Sequence, residues 1–123
     1  MNTHFLLPGF TGGMLVEQEQ IVFCKYRGPY ITFYLRQQCG KLRQVISSVD
    51  RLSMREKRML CQYPFARIHE HFIVNLQHVQ AYQPAEADCC KGTLIMDEHS
   101  CIPVAPGKHQ ALHTFWKGTK EED

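Results

Sequence analysis

The sequence predicts a mainly β fold with one medial and one C-terminal helix. Three observations lead there. Seven or more short runs rich in Val, Ile, Leu, Phe and Tyr are separated by turns containing Gly and Pro. One of them, Tyr30–Arg36, alternates Ile31, Phe33 and Leu35 with Tyr30, Thr32 and Tyr34, the period of a strand with one apolar face. Only two stretches, 49–60 and 108–116, have the length and spacing of a helix.

In chain order, His4–Leu7 is closed by Pro8-Gly9, and Gly12-Gly13 precedes Met14–Val16, which predicts an N-terminal hairpin. Glu17–Gln20 is a polar connector. Ile21–Tyr26 and Tyr30–Arg36 form a strand pair around Arg27-Gly28-Pro29, so Arg27 is presented at a turn flanked by Lys25 and Tyr26. Cys39-Gly40-Lys41 is a second turn leading to a strand over Leu42–Ile46. Ser47 and Asp50 have capping-box spacing and predict a helix over Val49–Leu60. That helix buries Val49, Leu52, Met59 and Leu60 and turns Arg51, Arg55, Lys57 and Arg58 outward.

The stretch Pro64–Val79, PFARIHEHFIVNLQHV, fits neither a period of 2 nor one of 3.6. It reads as a strand over Phe65–Ile68, a polar turn at His69–His71, and an apolar segment returning to the core. Donors held at a bend between buried segments are how a rigid scaffold presents contact residues. Val79–Gln83 continues as a strand and 84–91 is a polar loop. Thr93–Met96 and Ser100–Val104 form a hairpin around Asp97-Glu98-His99, with Pro103 confined to an edge or strand end. Pro106-Gly107 opens the last helix, with Ala111, Leu112, Phe115 and Trp116 on one side. The expected organisation is one domain over residues 1–116 and a charged tail over 117–123.

Composition agrees with a globular domain: 123 residues, 44% hydrophobic and 21% charged. No apolar run approaches the roughly 20 residues that span a bilayer, and the N-terminus lacks a basic n-region. The expectation is a cytoplasmic protein whose six cysteines are thiols. No CxxC pair occurs, and adjacent Cys89-Cys90 is poor geometry for one tetrahedral metal. Charge is uneven. Residues 24–76 hold ten Lys/Arg and three acids, a net +7, and the remainder holds four and nine, a net −5. Charge alone fits a polyanion partner and a solvated face equally.

Seven histidines raise the question of catalysis. His69 and His71 are two apart, and His109 and His113 four apart, but neither pair has a third ligand in reach by sequence. GxSxG, HExxH, P-loop and GxGxxG motifs are absent. The expectation is no enzyme, no small-molecule substrate, no cofactor and no metal.

Phe65-Ala66-Arg67-Ile68-His69-Glu70-His71-Phe72-Ile73-Val74-Asn75-Leu76 closely resembles the LytTR pattern F-x-R-x-H-x-S-[FY]-[ILV]-V-N-[LR]. Ile102-Pro103-Val104 is similar to that family's later I-P-V strand, and Ile21-Val22-Phe23 with Tyr30-Ile31-Thr32 to its earlier strand pair. The resemblance to the LytTR-type DNA-binding domain of bacterial transcription regulators spans roughly residues 3–116. It implies an elongated arrangement of short antiparallel sheets that inserts loops, not a helix, into major grooves of double-stranded DNA. It places contacts in three segments, Tyr26–Tyr30, His69–His71 and Ala105–His109. The implied DNA-binding residues are Lys25, Arg27, His69, Glu70, His71, Lys108 and His109, with Arg67 and Asn75 as buried or structural frame. Glu70 departs from the family's usual Arg or Asn, His71 from its Ser, and Ala105-Pro106-Gly107-Lys108 from its Ser and Arg. Those departures leave a second reading, a non-catalytic protein-interaction module on the same scaffold. The family's paired direct-repeat sites imply two protomers on DNA. The lack of a receiver domain ahead of Met1 implies control by abundance, dimerisation or a partner protein, which in some relatives is membrane-bound.

Overall fold

In a computed structural model, which describes residues 4–8, 12–38, 40–83, 92–96 and 100–105, three antiparallel sheets carry the chain. Strands β1 (His4–Pro8) and β2 (Gly13–Glu17) pair as the expected hairpin. A five-stranded sheet contains β3 (Ile21–Arg27), β4 (Tyr30–Leu35), β5 (Arg43–Ser48), β6 (Phe65–His69) and β7 (Phe72–Asn75), in the order β5-β4-β3-β7-β6. A three-stranded sheet follows, of β8 (Val79–Gln83), β9 (Gly92–Met96) and β10 (Cys101–Val104), in the order β10-β9-β8. Pro103 lies in β10, an edge strand, where its missing N–H removes no ladder bond.

The five-stranded sheet is the middle layer between two cores. On one face Phe5, Leu7 and Val16 of the hairpin, with Leu52 and Leu60, pack on Cys24, Ile31, Phe33, Phe65 and Ile73. On the other, Leu94, Met96, Ile102 and Val104 of the small sheet pack on Phe23, Ile68 and Val74. Consecutive residues of β7, Ile73 and Val74, therefore enter different cores. A central strand covered on both sides needs apolar residues at every position. This is why the Pro64–Val79 stretch obeys no single period. In β3 the pairing shifts between Ile21 and Phe23, and Ile21 through Cys24 are all buried.

The medial helix differs from the expectation over Val49–Leu60. β5 runs on to Ser48 by pairing with Tyr30 of β4, and the Ser47 hydroxyl donates to the Pro8 carbonyl of the hairpin. Val49–Arg51 make a single 3-10 turn, and Leu52 is extended. The helix α1 is only Met54–Met59, with Ser53 as its N-cap, accepting from the Glu56 N–H at 3.3 Å. The start signal is thus Ser53-x-x-Glu56, not Ser47-x-x-Asp50, because strand pairing already holds Ser47. Of the residues expected inside, Leu52 and Leu60 are buried and Val49 and Met59 half-buried; of those expected outside, Arg51, Arg55 and Arg58 are exposed and Lys57 half-buried. The expected helix over 108–116, the tail, the 84–91 loop and the Asp97–His99 turn lie outside the described residues.

Candidate nucleic-acid interface

β3 passes into β4 through Gly28-Pro29, with Arg27 paired opposite Tyr30. Gly28 has φ +61°, a left-handed conformation that a side chain would strain, and a Cβ there would meet no atom within 4 Å. Pro29 cannot take positive φ, so the turn is of the II′ kind, which suits a tight hairpin. The second hairpin, β6–β7, turns at Glu70-His71. β7 lies antiparallel to β3 with Phe72 opposite Lys25, so both turns emerge at one end of the sheet.

Backbone bonds fix the two turns to each other and to a third segment. The Tyr26 N–H donates to the His71 carbonyl at 2.7 Å, carrying the β3–β7 ladder up to the turn. Pairing of β6 with β7 slips between Arg67 and His69. A slip of this kind leaves the extra residue outside the ladder. The Ile68 carbonyl instead accepts from the Ala105 N–H at 2.7 Å. The chain leaving β10 therefore starts beside the β6–β7 turn.

Side chains tighten the same end. Arg67 Nη2 donates to the Glu70 carbonyl at 2.6 Å, and its guanidinium lies 5.0 Å from the Tyr26 ring centroid. One cation thus touches both hairpins. The His71 N–H donates to His69 Nδ1 at 3.1 Å, so a neutral His69 carries its proton on Nε2. The His69 ring meets Phe72 edge-on at 5.6 Å, and Lys25 Nζ lies 5.7 Å from the Phe72 centroid. Burial pushes the Tyr26 phenol up, the neighbouring Cys24 adds to this, and Arg67 opposes it, leaving a net rise. Tyr26 is accordingly a neutral platform at neutral pH.

Of the residues singled out from sequence, Lys25, Arg27, Glu70 and His71 are exposed at this end and His69 is half-buried. Among the described residues, the Arg27 guanidinium and the Glu70 carboxylate have no ion-pair partner. Lys108 and His109 lie outside the described residues. Asn75 is the frame residue it was read as: it is fully buried, donates to the Ile21 carbonyl at 2.9 Å and accepts from the Gln77 N–H at 3.0 Å. Arg67 is not buried. It is exposed and holds the turn from outside.

The model of the LytTr DNA-binding domain matches residues 12–117. The chain belongs to the LytTR DNA-binding domain family. A solved structure, the LytTr DNA-binding domain of a Bacillus cereus protein described as a methyl-accepting/DNA response regulator, has a similar fold. Its TM-score is 0.70 at 18% identity, over 93% of this chain and 96% of that one. No curated protein matches the chain significantly. As a LytTR domain, the protein acts in DNA binding and transcription regulation.

Strand register in this LytTR domain sets Ile46, Thr32 and Phe72 beside residues already read from sequence. Ile46, Thr32, Lys25, Phe72 and His69 are successive cross-strand partners, and Ser48, Tyr30 and Arg27 form the row two residues along, on the same face. Tyr30 and Ile46 are exposed apolar residues in these rows. The turn is one residue shorter than the Arg27-Gly28-Pro29 expected from sequence, because Arg27 pairs with Tyr30, and this sets Lys25 opposite Thr32. Setting Phe72 beside Lys25 needs the non-local β3–β7 pairing, which has no local signal. Among the described residues, no three His, Cys, Asp or Glu gather to hold a metal ion, and no helix is long and apolar enough to cross a membrane.

Proposed function

We propose that this LytTR domain binds double-stranded DNA sequence-specifically, reading major grooves through its turns. Lys25 and Arg27 approach phosphates, where cations supply sequence-independent affinity by releasing counterions. His69, Glu70 and His71 meet base edges. Glu70 is suited to accept from a cytosine amino group, and a histidine N–H to donate to a guanine or adenine acceptor. Lys108 and His109, which follow Ala105 closely in sequence, belong to the same surface in this reading. Two protomers on direct repeats complete the proposed complex, and residues 1–116 are its proposed folding unit.

The observation that carries this reading is the joining of three segments at one end, through Tyr26 to His71 and Ala105 to Ile68. A carboxylate at a turn tip with no ion-pair partner among the described residues favours the second reading, a protein-interaction module, because it repels phosphate. Selection from a random duplex pool, followed by fluorescence anisotropy, separates the two. The DNA reading expects one enriched motif bound at least tenfold more tightly than its scrambled version. Equal affinity for both duplexes overturns sequence-specific reading, and no binding to either at low salt favours the interaction module.

A further inference from the structure

On the hairpin-side face of the five-stranded sheet a groove of about 510 Å³ opens between α1 and the β6 strand. Its volume falls within the range of small-molecule sites, roughly 300–1,000 Å³. Val49, Leu60, Phe65 and Ile73 supply an apolar floor, and Lys57 and Arg67 stand among its lining residues. Among the described residues neither cation meets a carboxylate: Arg67 donates to a backbone carbonyl, and Lys57 has no ion pair. The nearest acid in sequence, Glu56, is already held by Arg55, Ser53 and the Leu6 N–H. An apolar floor with two cations that meet no carboxylate among the described residues is complementary to a small amphipathic anion such as a carboxylate.

We propose that this groove binds such a carboxylate, its hydrocarbon body on Phe65 and Leu60 and its anionic end between Lys57 and Arg67. Arg67 also carries the consequence, in a step that rests on the DNA-binding reading above. A carboxylate competes with the Glu70 carbonyl for the guanidinium and so loosens the β6–β7 turn. Occupancy therefore weakens DNA binding.

The groove contains its own reporter, because Cys61 lines it and is exposed. Cys101, exposed on β10 of the other layer, is an internal control. Peptide-resolved maleimide labelling of the full chain, without DNA, is run with 2-naphthoate and with the neutral 2-naphthalenemethanol. The expected result is that naphthoate slows labelling at Cys61 severalfold and leaves Cys101 unchanged. The alcohol, and naphthoate against Lys57→Gln, protect much less. Unslowed Cys61 labelling overturns the site, as does equal protection by the alcohol or equal protection in Lys57→Gln. In a separate arm, saturating naphthoate lowers the affinity of the wild-type chain for its selected duplex and leaves that of Lys57→Gln unchanged. An unaltered wild-type affinity, with Cys61 protected, overturns the coupling to DNA.

Discussion

Glu70 is the residue on which the account of the interface turns. Its backbone carbonyl is held by Arg67 while its carboxylate points out unpaired among the described residues. If that turn enters a groove, Glu70→Arg replaces repulsion of phosphate by attraction, and anisotropy titration shows about tenfold tighter binding to DNA in general. Unchanged affinity removes the turn from the interface. Lys25→Gln and Arg27→Gln have a different signature. Each weakens binding across sequences alike and lowers the steepness of the log–log salt dependence by about 0.9. At this scale the sequence was informative where chemistry was local: exposed Lys25 and Arg27 flank a turn dictated by Gly28-Pro29. It misjudged Arg67. Alternation with buried Phe65 puts Arg67 on the same side of β6, but the layer covering that side stops short of the turn, so the guanidinium stays exposed.

At the level of elements, α1 shows how a strong local signal can be displaced. Two Ser-x-x-acid patterns lie six residues apart, and the backbone alone does not choose between them. The choice comes from β5 pairing as far as Ser48. The true cap binds the helix to the hairpin, since Glu56 accepts from the Ser53 hydroxyl, from Arg55 at 2.6 Å and from the Leu6 N–H at 3.4 Å. Ser53→Ala removes the cap and lowers stability by about 1 kcal/mol in urea unfolding. Burial pushes the Glu56 carboxyl up, but Ser53, the Leu6 and Glu56 N–H groups and Arg55 outweigh it, and its pKa lies below the ordinary carboxylate value. A lowered folded-state value means that the stability Glu56 supplies is complete above the unfolded carboxylate range. It is lost as pH falls through the folded value. The gap between wild type and Glu56→Gln in urea midpoint is therefore widest near neutral pH and shrinks on acidification. A gap independent of pH contradicts the role given to the charge.

Over the whole molecule, the strands were legible and their neighbours were not. The hairpins could be read because turn residues join consecutive strands, whereas β3 meets β7 only after β4, β5, α1 and β6 have intervened. That non-local contact brings the two turns together, and buried Asn75 secures it by donating across from the end of β7 to the Ile21 carbonyl. Asn75→Ala leaves buried polar groups unpaired and costs about 1–3 kcal/mol in urea unfolding, with the folded fraction binding DNA as before. In the proposed complex the turn-bearing end of the middle sheet, and not the basic helix, meets DNA. Amide chemical-shift mapping during titration with the selected duplex tests it most directly. The largest shifts are expected at Lys25–Tyr30 and His69–Phe72, with α1 nearly unmoved. Shifts concentrated on Arg51–Arg58, with both turns silent, would contradict it.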